Sequence, residues 1–202
     1  MIVQPLRTAF RASLLALLGL VYRVRARGAA HIPAEGGAVL VANHVTFIDA
    51  LLLSRLTPRP VRFVMDHRYY DHWALGWFCR LFQAIPIASR RDDPARLAAA
   101  YDAIDAALVA GELVAIFPEG KLTRDGAVGP FKPGLLKILA RRPVPVVPVG
   151  LTGLWGSVFS RAGRRQGPWR RPVQVRVRRP QSAEDVDLPT LRAEVKSLLV
   201  AA

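Results

Sequence analysis

The chain has 202 residues, of which 29 are basic and 15 acidic, for a formal charge of +14, and 51% are hydrophobic. This length points to one domain with a sizeable core, and a single cysteine, Cys79, excludes an internal disulfide framework. No acidic residue occurs before Glu35 or between Asp125 and Glu184, so these two arginine-bearing regions are where a phosphate-rich partner would be met.

The first of these regions contains an uninterrupted apolar run from Ala12 to Tyr22, with Arg7, Arg11, Arg23, Arg25 and Arg27 on its flanks. A helix of that length covers about 16 Å, half of a bilayer core of about 30 Å, which is too short to cross. Cations on both sides fit an in-plane or shallowly inserted anchor helix over residues 1–28, its arginines among anionic headgroups. A signal peptide has the same outline, but no small-x-small cleavage site precedes the arginines, which favours retention. A buried core helix is the structural alternative.

Beyond His31, which reads as a surface residue, Gly37–Ala42 is short, apolar and glycine-bounded, the pattern of a buried strand. Asp49–Leu56 then reads as a helix. In the turn between them, Asn43-His44-Val45-Thr46-Phe47-Ile48-Asp49 places a carboxylate where it can curl back onto the imidazole. A histidine held in one tautomer by a carboxylate is a general base for a hydroxyl. Asp49 as a simple helix cap is the blander reading.

Val61–Met65 follows as a strand, then a loop, Asp66-His67-Arg68-Tyr69-Tyr70-Asp71-His72, whose histidines and carboxylates lack the spacing of a metal site. This loop reads as solvated, with Asp71 capping a helix to Phe82. Cys79 lies in that apolar helix and reads as a buried structural thiol. Ala84–Ala88 is a strand leading into Ser89-Arg90. Asp93-Pro94 opens a helix to Ala110, with a cap residue followed by proline in the first turn and Gly111 as its stop. Glu112–Phe117 is another buried strand, and Pro118-Glu119-Gly120-Lys121-Leu122-Thr123-Arg124 leaves its end. Strand ends are where α/β sheets place ligands, and a flexible glycine beside two cations suits a phosphate.

The remaining elements are a helix near Pro133–Ala140, a strand over Val144–Val149, and an arginine-rich loop, Arg161–Pro172. Val173–Arg178 alternates as a strand with one arginine-bearing face, and Leu188–Val200 closes as a helix. The alternation predicts an α/β domain over residues 29–202, a mostly parallel or mixed central sheet with helices on its faces, preceded by the anchor helix.

Four blocks in this order, Asn43-His44 to Asp49, Ile85–Arg90, Phe117–Gly120 and Val144–Gly150, resemble those of the glycerolipid acyltransferase family, the lysophospholipid and acylglycerol-phosphate acyltransferases. The resemblance covers roughly residues 30–155 and implies His44 as general base with Asp49 as its orienting partner. It implies Arg90 as the cation for the phosphate of the glycerol acceptor, Glu119 and Gly120 as acceptor-binding or site-shaping residues, and Pro148 on the acyl-donor side. In the family a Thr-Arg pair follows the glycine directly. Here Lys121-Leu122 intervene before Thr123-Arg124, so either Lys121 or Arg124 takes the cationic role. That departure looks more like the branch acting on lysophosphatidylethanolamine-type acceptors than the plain phosphatidate-forming branch.

The chemistry so implied is acyl transfer from acyl-coenzyme A or acyl carrier protein, as co-substrate, to a free glycerol hydroxyl of a lysophospholipid, with no other cofactor, no metal and no nucleic acid. The absence of a Gly-x-Ser-x-Gly elbow agrees with direct attack without a covalent enzyme intermediate. The resemblance and the basic, apolar N-terminus together imply a peripheral or monotopic protein on an anionic membrane surface, at the cytoplasmic face where the thioester donor is found. The rival reading is a non-catalytic basic α/β module for nucleic acid or anionic lipid, whose strongest feature is the run of arginines from Arg161 to Arg179 with Trp169 among them.

Overall fold

The computed structural model describes residues 3–162, 168 and 170–200, with residues 3–11 as backbone only. The two most apolar runs, β2 (Ala38–Ala42) and β5 (Leu113–Ile116), lie side by side at the middle of a seven-stranded sheet, and every residue of both is buried. Parallel strands covered by helices on both faces need apolar side chains on both sides, which is why these runs are continuous rather than alternating. Around them stand β1 (Tyr22–Arg27), β3 (Val61–Asp66), β4 (Ile85–Ile87), β6 (Val146–Thr152) and β7 (Arg171–Val177), in the order β1-β7-β6-β2-β5-β3-β4. All pairs are parallel except β6 with β7, so β1 and β7 run against the other five. The sheet is therefore mixed and mostly parallel.

The helices are α1 (Val3–Val21), α2 (Asp49–Ser54), α3 (His67–Tyr70), α4 (Gly76–Leu81), α5 (Pro94–Val109), α6 (Gly134–Arg141) and α7 (Leu188–Ser197). Alternate strand residues send their side chains to opposite faces. Leu40, Leu113 and Val149 meet Leu18 of α1 and Leu52 of α2, whereas Val39, Val114 and Val146 meet Ile104 of α5, Ile138 of α6 and Leu191 of α7. The start of α5 is fixed as its sequence implies: the Asp93 carboxylate accepts from the Arg96 N–H at 2.8 Å, and Pro94 stands in the first turn.

Two segments differ from the reading of the sequence, and a third lies partly outside the described residues. Tyr22–Arg27 is a strand, pairing with β7 from Tyr22↔Arg171 to Arg27↔Arg176, so the segment before residue 28 does not stand apart from the domain. Its exposed arginines Arg23, Arg25 and Arg27 sit on an edge strand, where charge discourages further pairing. The end of α1 also packs on the core: Leu18 is buried, as is Tyr22 at the start of β1, while Leu17 and Leu20 face outward. Among the described residues no helix is long and apolar enough to cross a membrane.

Second, the helix expected from Asp71 to Phe82 is broken in two. Asp66 caps α3 by accepting the Arg68 N–H at 2.9 Å, and Asp71 ends it, bound instead to Arg96 of α5. The backbone of Gly76 lies against the Tyr70 carbonyl, an approach that any Cβ would block, and α4 starts there. Third, the arginine-rich loop lies partly outside the described residues, at 163–167 and 169; β7 itself buries Val173, Val175 and Val177 and turns its polar residues outward as the alternation predicts.

Candidate active site

Because β6, β2, β5, β3 and β4 are parallel, their carboxyl ends share one edge, the place where open α/β sheets bind ligands. β2 delivers Asn43 and His44 to that edge at its centre. Asn43 is buried and its amide donates to the Leu151 carbonyl at 3.0 Å and accepts the Leu151 N–H at 2.8 Å. The side chain thus imitates a peptide group and prolongs the β2–β6 pairing by one residue, which fixes where the chain turns out of the sheet.

His44 is held on four sides. Its N–H donates to Glu119 Oε1 at 2.8 Å, its carbonyl accepts the Thr123 N–H at 2.9 Å, and its ring stacks on Phe117 with centroids 4.1 Å apart. The fourth hold is the carboxylate five residues on: Nδ1 lies 2.9 Å from Asp49 Oδ2. That oxygen also accepts the N–H groups of Val45 (2.6 Å) and Thr46 (2.9 Å), while Oδ1 accepts the Thr46 hydroxyl at 2.6 Å. Asp49 is completely buried, so four donors replace the water a carboxylate needs. An ionised carboxylate accepts only, which puts the ring proton on Nδ1 and leaves the lone pair on Nε2, in a ring whose side chain is 20% accessible. Asp49 is more than a cap, because the N–H groups it takes belong to the turn ahead of α2.

The third block leaves the neighbouring strand β5, and of the two roles the resemblance implies for Glu119, acceptor-binding or site-shaping, its contacts fit the second. Glu119 is buried, and while Oε1 takes the His44 N–H, Oε2 takes the Gly129 N–H at 2.7 Å. Both oxygens are used inside the protein. Thr123 is buried too, and its hydroxyl donates toward Asp125 and Ala127 while accepting from the Gly126 N–H. These contacts tie the loop after β5 to His44 and brace the loop itself. Lys121 and Arg124, by contrast, are exposed on that loop, and Leu122 between them is buried. Gly120 turns with φ 64°, and a Cβ there would come within 2.6 Å of Lys132 Nζ, so the glycine lets a third cation lie across the loop.

Arg90 and Pro148 are farther off. Arg90 occupies the exposed turn after β4, three strand spacings or roughly 14 Å from β2 along the same edge. Pro148 is buried within β6 opposite Val41, about 10 Å below the level of His44 at three residues' rise. Arg178 donates to its carbonyl, and the reciprocal bond is impossible because proline has no N–H. The loop after β3 assembles no metal site: Asp66 pairs with Arg68, Asp71 with Arg96, and no group of three metal-ligating side chains converges among the described residues. Cys79 is buried, its thiol pushed up by that burial.

Sequence reasoning missed the Asn43–Leu151 pair, the Thr46 hydroxyl, the Phe117 stack and Lys132. Only Thr46 carried a usable signal, since a hydroxyl three residues before a turn carboxylate is within its reach.

The site is thus an imidazole oriented by a buried carboxylate at the carboxyl edge of an α/β sheet, with exposed cations on the adjacent loops. The family model described as Acyltransferase matches residues 23–152, and the chain belongs to that family. It is 30% identical over 179 residues to the mouse 1-acyl-sn-glycerol-3-phosphate acyltransferase alpha, covering 86% of this chain and 61% of that protein. Against the chloroplastic 1-acyl-sn-glycerol-3-phosphate acyltransferase BAT2 of Brassica napus it is 30% identical over 133 residues, 65% of this chain and 38% of that one. The chain thus spans less than two thirds of either relative. The crystal structure of the 1-acyl-sn-glycerophosphate acyltransferase PlsC from Thermotoga maritima shares the fold, with a TM-score of 0.66 at 22% identity, over 96% of this chain and 79% of that one.

Proposed function

We propose that this protein transfers a fatty acyl group from a thioester, acyl-coenzyme A or acyl carrier protein, to the free hydroxyl of a lysophospholipid. His44 Nε2 takes the hydroxyl proton as the oxygen attacks the thioester carbonyl; the new C–O bond forms, the C–S bond breaks, and the imidazolium returns the proton to the departing thiolate. The observation that carries this reading is the 2.9 Å contact between Nδ1 of His44 and the buried Asp49, which fixes the tautomer and stabilises the charge His44 acquires. General-base assistance of this kind contributes about 10²–10⁴ in rate.

Lysophosphatidic acid is the first acceptor to test, because the similar proteins are named for 1-acyl-sn-glycerol-3-phosphate; lysophosphatidylethanolamine is the second, on the Lys121-Leu122 departure. Exposed cations on the loops of this edge, Lys121, Arg124 and Lys132 nearer to His44 and Arg90 farther off, support an acceptor that carries a phosphate. The enzyme works at an anionic membrane surface on the cytoplasmic face, with α1 lying in the interface and Leu17 and Leu20 toward the lipid. Thiol release from acyl-coenzyme A and from acyl carrier protein, measured in mixed micelles with each lysophospholipid and with His44→Ala alongside, tests the proposal. Acceptor-dependent release that disappears in the variant is expected. Silence with both donors and every acceptor overturns it in favour of a binding module.

A further inference from the structure

We infer that the loops around His44 form a second membrane-docking surface, separate from α1, which seats the mouth of the site directly on a bilayer containing anionic lipid. This rests on the acyltransferase reading for its use but on independent observations for its existence.

Trp73 is 89% exposed, an extreme value for an indole, and Trp77, Leu75, Phe47, Val158 and Phe159 are also exposed. They come from three segments that follow β2, β3 and β6, parallel strands whose carboxyl ends lie at one edge. The segments touch one another. Phe47 meets Tyr69 edge-on at 5.3 Å, and the backbone bridge between Thr46 and Ser160 joins the Phe159 loop to the His44 turn. The apolar rim therefore borders the His44 turn, whereas α1 lies on the sheet face beside α2, its Gly19 near Arg55 at the end of α2 away from Asp49 and His44.

Charge selects the partner. Arg80 and Arg161 are exposed within or beside the rim, and the carboxylates at the end of β3 and after it are each neutralised, Asp66 by Arg68 and Asp71 by Arg96. The Val158–Phe159 loop lies in the stretch without any acidic residue. Exposed tryptophans among arginines match a headgroup interface, where an amphipathic indole is at home and cations meet phosphate. A second copy of this chain seated here would cover the opening beside His44. A bilayer would instead bring an amphiphilic acceptor to it.

The test uses the full chain and vesicles of phosphatidylcholine with phosphatidylglycerol, comparing wild type, Trp73→Ala, and Trp73→Ala/Trp77→Ala by flotation. Turnover is measured in parallel on vesicle-borne lysophosphatidic acid and on a short-chain analogue kept below its micelle concentration. Loss of vesicle binding by roughly tenfold or more in the double variant, as expected for two buried indoles, with vesicle-borne turnover falling alike and turnover of the dispersed analogue unchanged, supports the surface. At 89% exposure Trp73→Ala leaves the core intact, so a weaker loss in that single variant answers any misfolding of the double. Undiminished vesicle binding in both variants overturns the proposal, as does a dimer, seen by sedimentation velocity, that the substitutions abolish while vesicle binding persists. If no acceptor is turned over by wild type the acyltransferase reading fails, and the flotation result still decides the surface.

Discussion

Replacing Asp49 by asparagine separates the charge behind His44 from the geometry around it. Two of the groups that bind Oδ2, the Val45 and Thr46 N–H, are backbone donors fixed in direction, so the asparagine carbonyl must take the Oδ2 place and its NH₂ the Oδ1 place. Thr46 Oγ can then rotate from donor to acceptor. The Nδ1–H contact survives, and what is lost is the negative charge that stabilises the imidazolium. Turnover should fall about 10²–10⁴-fold, which is about 2.7–5.4 kcal/mol of barrier at 1.36 kcal/mol per decade, while the unfolding free energy changes by no more than about 2 kcal/mol. Asp49→Ala differs: it strands two buried N–H groups at about 1–3 kcal/mol each, a large share of the about 5–15 kcal/mol that holds a domain together. Thiol-release kinetics and urea unfolding on the same samples give both quantities. Asp49→Asn turnover within about threefold of wild type, or Asp49→Ala as stable as wild type, would refute the reasoning.

Glu119→Gln turns one of two accepting oxygens into a donor facing a backbone N–H, so it should cost about 1–3 kcal/mol of stability and lower kcat more than it raises KM, measured by thermal unfolding and steady-state kinetics. Arg68 beside Asp66, and the Thr190 N–H beside Asp187, hold those carboxyls below the usual 3.8. Groups depressed on folding contribute fully above that value and lose their contribution as pH falls through the lower folded one, so circular dichroism should show a pH-independent plateau above about pH 5 and loss only in stronger acid. Cys79, buried with its thiol pushed up, should react with a disulfide reagent at mildly alkaline pH only after denaturant is added, followed by absorbance.

Features decided by near neighbours were legible in the sequence. Asp93 and Pro94 mark a helix start by their own chemistry, and His44 and Asp49 lie five residues apart, so the contact between them needs only a turn. β1 was hidden because its partner β7 is about 150 residues away and because an arginine-bearing edge strand looks like the polar flank of a helix. The break between α3 and α4 depends on the close approach of Gly76 to the Tyr70 carbonyl, which no periodicity reports. Glu119 and Thr123 show the same limit at the site. A charged or hydroxyl residue after a strand can face a ligand or the protein; what turned Glu119 inward was the N–H of His44, 75 residues earlier in the chain, whereas the Thr123 hydroxyl is held by its own loop at Asp125, Gly126 and Ala127. Arg90 fell in the exposed turn of an edge strand, a position set by strand order alone.

The main-chain grip on His44 comes from the same loop that carries Lys121 and Arg124. Two hydrogen bonds hold His44 to that loop, one through the buried Glu119 carboxylate and one directly from the Thr123 N–H, so the loop backbone is set against the base while Lys121 and Arg124 reach out on long exposed side chains. Under the proposed function, the loop fixes where the two cations are rooted relative to the imidazole, and a difference in headgroup reach is taken up by their rotamers rather than by moving the base.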